Sequence, residues 1–307
     1  MTVLTHPVTV GIDGSPASEL ALDWAVAEAQ RRRRPLELVH VPWTGPVSMD
    51  PGMWGTAVDV DAAERAADAI IEDARNRVAT MAPALVVRVV RAQGPAARAL
   101  VEASWTSEVV VLGAHGHGGF ARAVFGSTSS QVATHAHCPV VVVRESTDDT
   151  PDRPGVVVGV DGSPASADAV GFAFEEAAAR GVPLVVVHAW WADYAPGVLT
   201  ARVTDATWRR MADGETALVG ESVAGWAEKY PDVRVTSRVL RLHPVHALAR
   251  ESRGAELLVV GTRGHGGFVG LMLGSVSHGV LEHASCPVAV VRPRDEDTRR
   301  DPHTGGS

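Results

Sequence analysis

Short runs of consecutive apolar residues, most of them rich in valine, recur along the chain and are separated by longer alanine-rich stretches. Runs of this kind are typical of strands that are covered on both faces of a sheet. In the first half of the chain the pattern predicts five strands, which are Val8–Asp13, Leu36–Pro42, Leu85–Arg91, Val109–Gly113 and Val140–Val143.

The stretches between these strands favour helices, namely Ala17–Arg33, Asp61–Met81, Pro95–Ser104 and Ser127–His135. In the first of them Leu20, Trp24 and Ala27 recur at helical spacing and predict the face that packs on the core. Strands that alternate with helices of these lengths predict an α/β fold with a parallel, doubly wound sheet. Ligands of such sheets bind outside the carboxyl ends of the strands, near the switch in strand order.

The two halves of the chain repeat one another. Residues 10–18 read VGIDGSPAS and residues 158–166 read VGVDGSPAS, so Asp13 and Asp161 occupy equivalent places at an offset of 148. The same offset separates Cys138 from Cys286. A repeat of this length is a duplicated domain rather than a solenoid unit. We predict one domain at residues 1–146, a second at 155–293, a polar linker near Glu145–Pro154 and a disordered tail at 294–307.

Composition narrows the function classes. The 307 residues carry a formal net charge of −8, and Lys229 is the only lysine, which disfavours sequence-independent binding of nucleic acid. The basic run at residues 31–34 is interpreted as a helix end rather than a phosphate or membrane patch. We find neither a signal peptide at the start nor an apolar run long enough to span a bilayer, and we expect no membrane partner. Cys138 and Cys286 both precede proline and are expected to be unpaired in a reducing cytoplasm.

An aspartate ends the first strand of each half, at Asp13 and Asp161. A carboxylate in this place can accept hydrogen bonds from a ribose hydroxyl or an adenine amine. It can equally organise the turn or cap the following helix, which is a common use of aspartate. The sequence leaves both interpretations open.

A glycine-rich loop follows the fourth strand of each half with the pattern G-x2-G-x9-G-S. Glycines let backbone N–H groups approach a phosphate closely, and the closing Gly-Ser opens a helix whose free N–H groups attract anions. The loops therefore predict polyphosphate binding in both halves. Their defining residues are Gly113, Gly116, Gly126 and Ser127 in the first half, and Gly261, Gly264, Gly274 and Ser275 in the second.

Other motifs fit these loops less well. No Gly-Lys-Ser/Thr is present, which excludes a P-loop, and a loose dinucleotide fingerprint in the first half is broken at Val269 in the second. The histidines of the loops suggest zinc, but a metal site needs three or four converging ligands and the two halves differ. We therefore expect no metal site and interpret the following residues as donors that face phosphate: His115, His117, Arg263 and His265.

With these motifs the chain resembles the universal stress protein family in its tandem, ATP-binding form. The resemblance covers about residues 7–144 and 155–292 and implies two Rossmann-like domains, each with a five-stranded sheet. It implies ATP as the ligand, with Mg²⁺ as an accompanying ion, and contacts from both aspartates to the adenine or ribose end. The backbone near Val41 and Ala189 would meet the base. Val276 replaces Thr128 at the equivalent position of the second half, so any contact with the ligand there would come from the backbone. The resemblance also implies a homodimer and a role in stress adaptation or growth control.

Two functions from different classes remain. One is a nucleotide-sensing regulator, and the other is a slow ATPase or a nucleotidyl-transferring enzyme. Phosphoryl transfer needs a carboxylate for Mg²⁺ and a base or nucleophile near the γ-phosphate. Residues 113–130 contain no Asp, Glu or Lys. We therefore expect binding rather than catalysis.

Overall fold

The computed structural model describes residues 6–42, 60–116, 125–145, 155–190, 205–264 and 273–293. Within them each half alternates strands and helices. The first half contains β1 (Val8–Ile12), α1 (Pro16–Arg32), β2 (Leu36–His40), α2 (Val60–Met81), β3 (Val87–Arg91), α3 (Ala96–Ala103), β4 (Val109–Gly113), α4 (Ser127–His135) and β5 (Val140–Val143). The second half contains β6 (Val156–Val160), α5 (Pro164–Arg180), β7 (Leu184–Ala189), α6 (Asp205–Lys229), β8 (Val235–Leu240), α7 (Pro244–Glu251), β9 (Leu257–Gly261), α8 (Ser275–His283) and β10 (Val288–Val291).

The strands form one continuous sheet in the order β3-β2-β1-β4-β5-β10-β9-β6-β7-β8. All pairs within a half are parallel, which confirms the predicted α/β fold. The two halves join through an antiparallel pair in which Val142 lies opposite Val288 and Val140 lies opposite Val290. The duplicated domains therefore share a sheet, which the repeat alone does not reveal.

Helices cover both faces of this sheet. The core on one face includes residues of α1, α2, α5 and α6, and the core on the other includes residues of α3, α4, α7 and α8. The helix after β1 and the helix after β4 thus lie on opposite faces, although the two strands are neighbours. This is the switch point at which doubly wound sheets open a crevice for a ligand. The second half repeats it between β6 and β9.

The first helix of each half begins in the same way. Ser15 and Ser163 are the N-caps, and each hydroxyl accepts a hydrogen bond of 3.2 Å from the N–H three residues later. A proline follows each cap at the first helical position, where its missing N–H costs nothing. Both helices end on a left-handed residue, Arg33 in α1 and Gly181 in α5.

The predicted core face of α1 is partly wrong. Leu20 and Ala27 are exposed, and Trp24 is half-buried. The buried stripe includes Ala21, Ala25 and Ala29, which are almost inaccessible to solvent. Small side chains four residues apart let the helix lie close to the sheet. The face that carries these alanines is therefore covered, rather than the face that carries Leu20 and Trp24.

The far ends of α1 and α5 meet across the two halves in a buried cluster of charges. Glu28 and Glu176 are 0% and 1% exposed, and each contacts both Arg32 and Arg180. Arg180 is 2.9 Å from Glu28 and 2.7 Å from Glu176. The basic run at residues 31–34 does end the helix as predicted, but Arg32 also serves this interface.

Two further arginines cross between the halves in the same reciprocal way. Arg144 donates hydrogen bonds to carbonyl oxygens at the end of α8, including one of 2.7 Å to Ala284. Arg292 donates to the carbonyl oxygen of Thr134, near the end of α4. Both cysteines are free. Among the described residues, no helix is long and apolar enough to cross a membrane. Most of the predicted linker and all of the predicted tail, 294–307, lie outside the described residues.

Candidate nucleotide site

The turn after β1 is organised by its aspartate. The Asp13 carboxylate accepts hydrogen bonds from the backbone N–H of Ser15 at 2.9 Å and from its hydroxyl at 2.6 Å. Asp161 accepts the corresponding backbone hydrogen bond from Ser163 at 3.0 Å. The turn-forming role predicted as one alternative is thus present in both halves. It engages one carboxylate oxygen, Oδ1, in each case.

The other carboxylate oxygen lies beneath the glycine loop. A Cβ atom added to Gly116 would lie 2.7 Å from Asp13 Oδ2, and one added to Gly264 would lie 2.1 Å from Asp161 Oδ2. Ordinary contacts of a Cβ atom begin near 3.4 Å. Gly116 and Gly264 therefore lie directly over the carboxylates, and only glycine fits at these positions without a shift of the neighbouring atoms.

The first glycine of each loop has a different neighbour. A Cβ atom on Gly113 would lie 2.6 Å from the backbone carbonyl of Ala17, and one on Gly261 would lie 2.8 Å from the carbonyl oxygen of Ala165. These glycines let the first turn of α1 or α5 lie against the end of the neighbouring strand. They bring the aspartate turn and the glycine loop together at one edge of the sheet.

The last glycine of each loop opens the following helix. Gly126 is the N-cap of α4 and Gly274 is the N-cap of α8, and neither provides a side chain to cap the helix. Their own N–H groups bond back to the loop, at 3.0 Å to Ala114 and at 2.7 Å to Thr262. Ser127 and Ser275, the first helical residues, are exposed. The first-turn N–H groups of a helix have no intrahelical acceptor, so this end can bind an anion.

The described residues predicted for the ligand lie along one edge of each half-sheet. The two aspartates, the glycine loops and the helix starts adjoin β1 and β4 or their counterparts β6 and β9. Val41 follows β2 and Ala189 ends β7, and both are half-buried. His115 and Thr128 are half-buried, Arg263 is exposed and Val276 is half-buried. His117 and His265 lie outside the described residues.

The structure adds residues that the sequence analysis did not single out. Ser129 donates a 2.8 Å hydrogen bond to the carbonyl oxygen of Gly113, and Ser277 donates one of 2.6 Å to that of Gly261. These bonds tie the helix start to the end of the fourth strand. The recurrence of Gly-Ser-x-Ser at both loops is the sequence signal that could have identified them.

Comparison with known proteins identifies the family of both halves. The model of the universal stress protein family matches residues 5–144 and again residues 155–292. The chain belongs to the universal stress protein family.

Curated relatives of this universal stress protein match it over nearly their whole length. A universal stress protein of Mycolicibacterium smegmatis is 40% identical over 295 residues, which cover 94% of this chain and 98% of the relative. One from Mycobacterium tuberculosis strain H37Rv is 37% identical over 293 residues, which cover 94% and 97%. The duplicated organisation is therefore shared with these relatives.

Solved structures support the fold. A universal stress protein from Archaeoglobus fulgidus superposes with a TM-score of 0.67 at 19% identity, over 95% of this chain and 98% of that one. A structure described as a universal stress protein from Pseudomonas aeruginosa gives a TM-score of 0.60 at 16% identity, over 96% and 98%. At these identities the likeness concerns the two-domain architecture.

Proposed function

We propose that each half of this universal stress protein binds one adenine nucleotide, ATP, at the carboxyl edge of its half-sheet. The observation that carries the proposal is the meeting of three features at the switch point. An open helix start, the glycines of the loop and a half-buried aspartate converge there, and the second half repeats the arrangement with its own residues. Each feature alone is common, but their convergence twice in one chain favours a nucleotide.

The parts of the nucleotide are assigned by charge. The start of α4 carries partial positive charge and N–H donors, which suit the phosphates, and the exposed hydroxyl of Ser127 adds a donor. Asp13 lies one strand away and can accept a hydrogen bond from a ribose hydroxyl. His115 and His117 in the first half, and Arg263 and His265 in the second, would supply further donors to phosphate.

Mg²⁺ would enter this site with the nucleotide rather than on a preformed set of ligands. Among the described residues, no group of three or more histidine, cysteine, aspartate or glutamate side chains is placed to hold a metal ion. Residues 113–130 contain no carboxylate. The donor set therefore fits the phosphates of ATP better than it fits the ion, which the phosphate oxygens would hold.

The absence of carboxylates from residues 113–130, where the phosphates would lie, favours a regulator over an enzyme. Kinases turn over at about 1–100 s⁻¹ with carboxylates that hold Mg²⁺ and position the nucleophile. We propose that ATP turnover by this protein stays far below that range and that nucleotide occupancy is the signal in stress adaptation or growth control. A slow ATPase or a nucleotidyl transferase is the second candidate, and steady-state turnover in the kinase range would favour it.

We also propose that the protein acts in the cytoplasm and forms a homodimer. Strands β5 and β10, which end the two half-sheets, already pair with one another inside the chain. A second chain would therefore have to contact a different surface, such as the outer strands β3 and β8 or a helical face.

Substitution of one helix-capping glycine tests the two-site proposal. A Cβ atom on Gly126 would lie 3.0 Å from the carbonyl oxygen of Ala114, so Gly126→Val should close the first phosphate end and leave the second. Gly274→Val should do the reverse. Gly220→Val is the matched control, because Gly220 is exposed and a Cβ atom there meets nothing within 4 Å. Calorimetry should count one ATP per chain in each of the first two variants and two in the control. Unchanged stoichiometry in both of the first two variants would refute the assignment.

A further inference from the structure

A buried histidine occupies the end of the second strand in each half. His40 is the last residue of β2, and His188 lies at the equivalent place in β7. They are 4% and 5% exposed. Each lies opposite the last residue of the neighbouring strand, Ile12 for His40 and Val160 for His188. The residue after each of these strand ends is the aspartate of the candidate site.

Both rings make the same hydrogen bond. His40 Nδ1 is 2.9 Å from the carbonyl oxygen of Ile12, and His188 Nδ1 is 2.7 Å from that of Val160. A carbonyl oxygen only accepts hydrogen bonds, so Nδ1 must carry the proton in each ring. The side chain therefore adds a bond between the two strand ends directly before the aspartate, beyond the backbone ladder.

In the second half a carboxylate lies close to the other nitrogen of the ring. His188 Nε2 is 2.7 Å from a carboxylate oxygen of Glu215 on α6, within ion-pair distance although not in hydrogen-bond alignment. The position equivalent to Glu215 in the first half is Ala67, which has no polar side chain. The contact with Glu215 therefore has no counterpart at the equivalent position of the first half.

We propose that His40 and His188 are positioning residues that set the base selectivity of the two nucleotide sites. The inference rests on the proposed function. Neighbouring strands lie about 4.8 Å apart, and β2, β1 and β4 are consecutive in the sheet. With the phosphates at α4 and the ribose at Asp13, the base lies at the end of β2, beside Val41. The histidine bond fixes the spacing between the backbone that contacts the base and the aspartate that contacts the ribose.

The test measures the base and the phosphates separately. His40→Leu is made in a Gly264→Val background, so that only the first site binds, and ATP, GTP and inorganic tripolyphosphate are titrated by calorimetry. We expect ATP affinity to fall by up to about tenfold, because a positioning effect is bounded by the free energy of the lost bond between His40 and Ile12. The preference for ATP over GTP should shrink, and tripolyphosphate affinity should not change. His188→Leu in a Gly116→Val background repeats the test for the second site.

Two controls separate positioning from folding. His40→Asn places an amide N–H where Nδ1 lies and should restore the ATP preference. His135→Leu and His283→Leu remove exposed histidines at equivalent positions in α4 and α8 and should leave all three affinities unchanged. Independently of any ligand, ¹⁵N spectra of the histidine rings should show the Nδ1-protonated form for His40 and His188.

The outcomes distinguish the two proposals. A wild-type chain that binds no ATP overturns the proposed function and this inference with it. A wild-type chain that binds ATP, with leucine variants that keep their ATP preference, overturns the positioning role alone. So does an equal loss of ATP and tripolyphosphate affinity, or an asparagine variant that restores nothing.

Discussion

Two arginines contact both carboxylates of the charge cluster between α1 and α5, and Arg180 is the more deeply buried of them. Its replacement should weaken the interface between the two halves of the chain. Its side chain is 5% exposed and contacts Glu28 at 2.9 Å and Glu176 at 2.7 Å. It also lies 5.3 Å from the centre of the Trp24 ring. Arg180→Met keeps most of the length of the side chain and removes its charge.

The expected loss of unfolding free energy follows from the two buried carboxylates that remain after the substitution. Glu28 and Glu176 are almost inaccessible to solvent; without Arg180, Glu28 keeps Arg31 and Arg32, and Glu176 keeps only Arg32 of the arginines named here. Removal of one partner from a buried ion pair typically costs about 3–5 kcal/mol, because the remaining charge is desolvated and unpaired. We therefore expect the free energy of unfolding to fall by about 3–5 kcal/mol, a large part of the 5–15 kcal/mol typical of a folded domain.

Urea unfolding followed by tryptophan fluorescence measures this loss. Arg98→Met is the control, since Arg98 pairs with Glu102 on the surface and its loss should leave the transition unchanged. The double variant with Arg180→Met and Glu176→Gln should be more stable than the single variant, because it removes the uncompensated carboxylate. A single variant that unfolds like the wild type, or a double variant that is weaker still, would refute the reasoning.

The loss should also depend on pH. Burial, together with the Glu176 charge, raises the pKa of Glu28. Burial acts in the same direction on Glu176, but Arg32 and Arg180 outweigh it and hold its pKa below the ordinary value. Without Arg180 both pKa values rise relative to those in the wild type, so the folded variant binds more protons than the folded wild type as pH falls, and this proton uptake offsets part of its loss of stability. The deficit of Arg180→Met should therefore be smaller at pH 5 than at pH 7, and a larger deficit at pH 5 would contradict the assignment.

Further predictions concern the site, the thiols and the interface. Gly264→Ala should weaken ATP binding at the second site more than Gly116→Ala weakens it at the first. The methyl group added at Gly264 would lie 2.1 Å from the oxygen of Asp161, whereas the one added at Gly116 would lie 2.7 Å from that of Asp13. Calorimetry should resolve the difference in affinity. Burial raises the pKa of Cys138 to about 12 and that of Cys286 to about 11, so a disulfide reagent at pH 8 should react slowly with the folded chain and rapidly after denaturation. Arg144→Leu leaves carbonyl oxygens at the end of α8 without this donor and should lower the free energy of unfolding by about 1–3 kcal/mol, and an unchanged urea midpoint would contradict its capping role.

Local features of the fold were predictable because short-range rules determine them. The bounds of β4, α4 and β5 agree with the sequence prediction to the residue. The predicted third strand begins too early, because Leu85 and Val86 precede β3, which starts at Val87. Apolar character alone does not separate a strand from the loop that leads into it, and Val86 is 63% exposed.

The contacts between the halves were not predictable in the same way. The repeat at offset 148 indicates two copies of a domain, but it carries no sign that β5 and β10 would pair. Nor does the spacing of Glu28 and Arg32 on one helix show that their partners lie on another helix more than 140 residues away. Such contacts depend on how the surfaces of the two folded halves fit together. The local sequence pattern does not determine this fit.

The candidate site was predictable from the sequence only in part. Its glycines and aspartates were recognisable from the pattern, and the structure places the described ones at the predicted edge of the sheet. The close crossing of Gly116 over Asp13, and the bond from His40 to the strand that precedes it, required the folded chain. The ligand itself remains a prediction.

The measurement that tests the central proposal most directly is the number of ATP molecules bound per chain. Equilibrium titration of the purified, nucleotide-free protein with ATP should saturate at two molecules per chain, and Gly126→Val should reduce the number to one. A wild-type chain that binds no ATP at saturating concentration would contradict the proposed function. Saturation at one molecule would contradict the equivalence of the two halves.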